Sequence, residues 1–174
     1  FNEDGTTKRY GTVIPGWDYT FYEYLYKNNG VEVVREDGTS DLNEEMSVYI
    51  TNKIKEWIDK GYAYYAYGTA ASSNMRQLFW DGGAFSVIHT SSLYDTYVEN
   101  CDFEVGISWI PGGMDGENFY TNVSGAYIMI PQTASQRHKH AAGQFMMFMV
   151  SPEMSLYWAD ETGYYPSRKS VADL

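Results

Sequence analysis

Residues 141–153 read Ala141-Ala142-Gly143-Gln144-Phe145-Met146-Met147-Phe148-Met149-Val150-Ser151-Pro152-Glu153, two helical stretches with the break between them. The first continues a helical pattern that begins near Ser135. From Phe145 to Val150 it is apolar on nearly every side, so this helix wants burial on most of its faces. Ser151 then offers an N-cap and Pro152 a proline for the first turn of the next helix, which Gly163 closes. Upstream, Met46, Ile50, Ile54, Trp57 and Ile58 recur at spacings of four and three, which predicts a helix from about Asp41 to Lys60. Ser40 is its expected N-cap and Gly61 its stop.

Shorter elements fill the rest of the chain. Asp18 is placed to cap a helix carrying Phe21 and Leu25 that ends at Asn28-Asn29-Gly30. Another helix follows Ser72 or Ser73, with Met75, Leu78 and Phe79 on one face, and Asp81-Gly82-Gly83 breaks it. Ala84 to Ile88 reads as a buried strand, and Ser91 or Ser92 caps a helix through Leu93, Tyr97 and Val98. Phe103, Val105, Ile107 and Trp109 alternate with Glu104, Gly106 and Ser108, the period of a half-buried strand, and a second strand is expected over about Gly125 to Ile130. Helices alternating with short strands predict an α/β architecture.

Composition narrows the function. The chain has 12 basic and 23 acidic residues and a formal charge of -11, which opposes binding to a nucleic-acid backbone. No apolar run approaches the roughly 20 residues that span a bilayer. Cys101 is the single cysteine, so neither an intrachain disulfide nor a multi-cysteine metal centre is available. The aromatic count is high, with 17 Tyr, 8 Phe and 5 Trp. Tyr and Trp join a flat apolar surface to a polar tip, which suits stacking on sugar rings and bonding to hydroxyls. An aromatic-rich core and rim would leave the same composition.

Chemistry-bearing motifs are sparse. His138 and His140 lie two apart in a helical pattern, point in different directions and read as solvated surface, so no metal is expected. Asp160-Glu161 reads as a helix end, since adjacent carboxylates rarely flank one glycosidic bond. There is no Gly-x-Ser-x-Gly, no P-loop and no Gly-x-Gly-x-x-Gly. Cys101 has no basic neighbour to activate it. No catalytic residue and no cofactor are expected.

Ordered blocks carry a resemblance. The stretch quoted first is followed by Trp158 and by Thr162-Gly163-Tyr164-Tyr165-Pro166-Ser167-Arg168-Lys169. Upstream stand Phe79-Trp80-Asp81-Gly82-Gly83-Ala84-Phe85, Val105-Gly106-Ile107 with Ile110-Pro111, and Ser124-Gly125-Ala126. In this order, over roughly residues 75 to 174, they resemble the family 1 extracellular solute-binding proteins of ABC importers. Gly16-Trp17, Lys27-Asn28-Asn29-Gly30 and His89-Thr90-Ser91-Ser92-Leu93 bring the likeness nearest to the glycerol-3-phosphate binders of that family.

The resemblance implies part of a two-lobed, periplasmic-binding-protein-like fold, mostly its second lobe. Residues 1–174 would be an incomplete solute-binding protein, with about 1–110 and 151–174 in the second lobe and about 120–150 crossing toward the first. It implies an extracytoplasmic, non-enzymatic protein that captures glycerol-3-phosphate, a glycerophosphodiester or a sugar by lobe closure and delivers it to permease subunits in the membrane. Ligand contacts are implied at Tyr164 and at the backbone of Gly125. His89 falls where the glycerol-phosphate binders use a serine that touches ligand, a departure that bears on phosphate specificity. Trp17 is a stacking candidate, with packing beside a helix start as the plainer reading. A carbohydrate-active enzyme and a non-catalytic interaction domain are the competing classes. The apolar helix at 145–150 is expected either to expose a patch or to hide it by self-association.

Overall fold

The computed structural model describes residues 2–6 and 8–172. The chain divides into two compact units, Phe1–His89 with Tyr97–Val123, and Thr90–Thr96 with Ser124–Leu174. The first is an α/β unit, as the alternation of elements predicts.

Its centre is a three-stranded parallel sheet in the order β2-β1-β3, made of β1 (Tyr10–Pro15), β2 (Ala63–Ala66) and β3 (Ala84–Val87). β1 pairs on both edges, with Thr12 opposite Ala63 on one side and Tyr10 opposite Ala84 on the other. Parallel strands need crossovers, and helices supply them: α1 (Tyr19–Asn28) and α2 (Glu45–Asp59) between β1 and β2, and α3 (Ala71–Trp80) between β2 and β3. Val13 and Ile14 are fully buried and, being adjacent in a strand, point to opposite faces. On the Ile14 face the core collects Phe21 and Tyr24 of α1, Val31, and Ile50 and Ile54 of α2. α3 packs against all three strands and buries Ala71, Met75 and Phe79.

α2 falls within the expected 41–60 helix, but Glu44 rather than Ser40 occupies its N-cap, without a side-chain cap bond. Ser47 is instead buried in the first turn and donates to the Asp41 carbonyl at 2.6 Å. β3 is a strand as expected, yet only Ala84 of it is buried and Phe85 is 79% exposed. The strand expected at 103–109 does not form: Ile107 and Trp109 are exposed, and the segment joins no ladder among the described residues. Alternation alone does not make a strand without a neighbouring edge to satisfy its backbone. The chain continues into a turn at 111–120 that is pinned to the end of α1. Asn28, 1% exposed, donates to the Pro111 carbonyl at 3.2 Å and accepts from the Tyr120 N–H, while Asn29 accepts from the Met114 N–H at 2.9 Å. Gly113 passes so close to Asn28 that a Cβ there would lie 1.8 Å from its carbonyl oxygen.

The second unit is helical. α5 (Gln136–Met149) starts at Ser135 and α6 (Pro152–Thr162) at Ser151, and each serine accepts a cap bond at 3.3 Å, from His138 and Met154, the second as expected. Gly163 ends α6 with φ +66, a left-handed cap that favours glycine. The 3-10 turn at Ser91–Leu93 and the start of the helix α4 (Tyr94–Asn100) belong to the second unit, and α4 from Tyr97 on belongs to the first. The strand expected at 125–130 is likewise absent, with Tyr127 and Met129 about as exposed as free chain, 85% and 84%. α5 has no buried residue; Phe145, Met147 and Phe148 are all more than half exposed. The apolar face foreseen from residues 145–150 is therefore open in this structure.

Asn28→Ala removes, from a buried position, the acceptor of the Tyr120 backbone N–H and the donor to Pro111. It is expected to destabilise the protein by about 1–3 kcal/mol in urea melts. A cost within about 0.3 kcal/mol would show that the turn holds without it.

Candidate functional site

All three strands of the first unit run the same way, so their carboxyl ends open on one edge of the sheet. That edge is where open α/β sheets bind ligands, because loops diverge there and side chains gather without a strand to cover them. β1 ends at Pro15; the Gly16 N–H bonds to the Ala66 carbonyl at 2.8 Å, and Trp17 follows, 42% exposed. β3 ends at Val87, in register with Val13, and His89 follows two residues later. Trp17 and His89 thus leave neighbouring strands at the same edge. β2 ends at Ala66 and delivers Tyr67, which is exposed and stacked on Tyr65 with ring centroids 5.7 Å apart.

His89 is half-buried and held. Its Nδ1 lies 3.1 Å from the Tyr97 hydroxyl, and the two rings meet edge to face with centroids 5.9 Å apart. Tyr97 also packs on Phe79 and Trp80, and the Arg76 guanidinium lies over the Trp80 ring at 6.0 Å. Burial, and then the Arg76 charge, push the His89 pKa below its ordinary value against a weaker opposing pull from Asp18. Both effects favour the neutral imidazole. Arg76 Nε and Trp80 Nε1 are buried in this cluster without a protein hydrogen-bond partner among the described residues.

In the second unit Tyr164 follows the left-handed cap of α6 and is 47% exposed, its N–H donating to Thr162 Oγ1 at 3.4 Å. A Cβ on Gly163 would lie 3.2 Å from the Ser92 Cα, so the backbone passes the serine block of the 3-10 turn just before Tyr164. Gly125 lies in open surroundings, with nothing within 4 Å of where its side chain would be. The structure brings Trp17 and His89 to one edge and Gly163, the neighbour of Tyr164, to Ser92; it gives Gly125 no such company. Sequence reasoning passed over Tyr67, Arg76 and Tyr97. An exposed tyrosine just after a strand could have flagged Tyr67 had β2 been recognised, while Arg76 and Tyr97 carry no local signal. Cys101 is unsuited to nucleophilic work, because burial and Asp102 push its thiol pKa up.

A family model described as bacterial extracellular solute-binding protein matches residues 1–174. The chain belongs to that family. Among curated relatives of this solute-binding chain is the sn-glycerol-3-phosphate-binding periplasmic protein UgpB of Escherichia coli K12, 23% identical over 153 residues, 87% of this chain and 34% of that protein. Among solved structures, UgpB from Mycobacterium tuberculosis in complex with glycerophosphocholine superposes with a TM-score of 0.77 at 22% identity, covering 99% of this chain and 44% of that one. The GacH receptor of Streptomyces glaucescens, solved unliganded and with acarbose, gives a TM-score of 0.74 at 18% identity, over 98% of this chain and 43% of that one. These likenesses establish a periplasmic-binding-protein fold for the chain, which spans from about a third to under half of the length of these relatives. Among the described residues no helix is long and apolar enough to cross a membrane.

A histidine whose pKa is lowered on folding binds fewer protons folded than unfolded near its ordinary value, so stability rises with pH there. Lowering the pH through about 6.5 and below should therefore destabilise the protein through His89. Thermal melts from pH 8 to 5 should show the loss, and His89→Gln should flatten that part of the profile; an unchanged slope would mean another group carries it.

Proposed function

We propose that the chain is part of the solute-binding component of an ABC importer, which captures glycerol-3-phosphate or a related glycerophosphodiester or sugar outside the cytoplasm and passes it to permease subunits in the membrane. The observation that carries this reading is the sheet edge where Trp17 and His89 emerge together from adjacent parallel strands, in a chain of the solute-binding family. Trp17 offers a ring face for stacking. His89 offers a polar nitrogen to a ligand oxygen, and in the second unit Tyr164 is a candidate contact through its ring and phenolic hydroxyl. Gly125 contributes its backbone N–H, which an approaching ligand reaches without a side chain in the way. Membership of the solute-binding family supports binding rather than turnover as the role.

Glycerophosphodiesters rank first because the ligands named for the UgpB relatives are glycerol-3-phosphate and glycerophosphocholine. Sugars rank second, because the GacH receptor was solved with acarbose and a cyclo/maltodextrin-binding protein, TM-score 0.67, with maltotetraose. In this reading about 1–110 and 151–174 build a second lobe and about 120–150 cross toward a first, and capture proceeds by lobe closure. The formal charge of -11 leaves nucleic acid an unsuitable partner.

Thermal-shift and calorimetric titration of the intact protein with glycerol-3-phosphate, glycerophosphocholine and maltose-type sugars tests the reading. A ligand at 100 times its Kd should stabilise by about 2.7 kcal/mol, whereas no response to any of them, or turnover of a glycoside, would overturn it. Tyr164→Ala should weaken the responding ligand about tenfold, or about 1.4 kcal/mol, at nearly unchanged melting temperature; equal losses of both would make Tyr164 a packing residue. Because α5 leaves Phe145, Met147 and Phe148 open, the 174-residue chain alone should self-associate in light scattering more than the intact protein, and strict monomers at high concentration would contradict this.

A further inference from the structure

Resting on the reading that His89 faces ligand, we propose that Tyr97 is its positioning residue: the Tyr97 hydroxyl donates to His89 Nδ1, which keeps the ring proton on Nε2 and makes His89 a neutral N–H donor to a ligand oxygen. The direction of the bond follows from acidity. A phenol is the more acidic partner, with an ordinary pKa of about 10, and a neutral imidazole nitrogen, protonated at about 6.5, is the more basic. The phenol proton therefore goes to the imidazole lone pair.

The surroundings hold the pair in that state. Tyr97 is only 5% exposed, with its ring set edge-on to Phe79 at 5.3 Å and to Trp80 at 6.3 Å, so its hydroxyl has little freedom to turn away. The charged and titratable groups around the pair are Asp18 ahead of α1, Arg76 on α3 and, beyond Tyr97, Cys101. Burial pushes the Tyr97 pKa up to about 12 despite Arg76, so the hydroxyl keeps its proton. Burial and Arg76 together keep His89 from taking a second proton at neutral pH. With Nδ1 occupied as an acceptor, the remaining ring nitrogen can only donate. Its complement is an oxygen lone pair, as on a phosphate ester or a sugar hydroxyl.

Long-range 1H–15N NMR of the intact protein reads the tautomer directly, with the His89 signals assigned by their loss in His89→Gln. The expected wild-type pattern is a proton on Nε2 and a bare, hydrogen-bonded Nδ1. Tyr97→Phe keeps the ring packing and should give a mixture of tautomers, together with a loss of affinity for glycerophosphocholine of about 2- to 10-fold, the worth of one hydrogen bond. A wild-type proton on Nδ1 overturns the proposal without any variant, and so does a Tyr97→Phe protein whose tautomer or affinity is unchanged. If no tested ligand binds the wild type, the tautomer and its response to Tyr97→Phe still decide the proton's place, while the ligand reading fails separately.

Discussion

β1 is hydrogen-bonded on both edges and covered on both faces, and the first unit is arranged around that fact. A strand so enclosed must be apolar in its middle, and Val13 and Ile14 are fully buried. Its neighbours must run parallel because the chain returns each time through helices, and Ala63 and Ala66 of β2 and Ala84 of β3 are small enough to let those helices sit close. One direction for three strands means one edge for three carboxyl ends. Trp17, Tyr67 and His89 share an edge for that reason, although 72 positions separate the first from the last.

The helices were legible in the sequence and most of the sheet was not. α2 could be read because burying one face of fifteen residues writes a period into them, α5 from its helical pattern, and α6 because Ser151-Pro152 and Gly163 are chemical punctuation. β1 gives no such sign: Gly11 interrupts its six residues, Pro15 ends it, and burial on both faces removes the alternation that marks a half-buried strand. β2 is four residues, Ala-Tyr-Tyr-Ala, too short for any period. Conversely Phe103 to Trp109 alternates well and pairs with nothing among the described residues, since a ladder needs a partner that local sequence cannot specify.

The candidate residues divide along the same line. Trp17, His89, Gly125 and Tyr164 were reached through ordered motifs, each identifiable by its own neighbours in sequence. What surrounds them was not. The contact between His89 and Tyr97 joins a strand end to a helix, and Arg76 comes from a different helix again. Nothing near Tyr97 in sequence distinguishes it from the other sixteen tyrosines; only burial against Phe79 and Trp80 does so.

That burial also explains how an acidic chain can keep a neutral donor beside a cation. Across the surface, charges are paired locally and screened, as where Glu56 sits between Lys53 and Lys60 with its carboxyl held down to about 2. Around His89 the field is set by a few close groups, and the net charge of -11 has little reach into it. Arg76 opposes protonation of the imidazole, Asp18 favours it weakly, and the low polarity of the aromatic wall sides with Arg76.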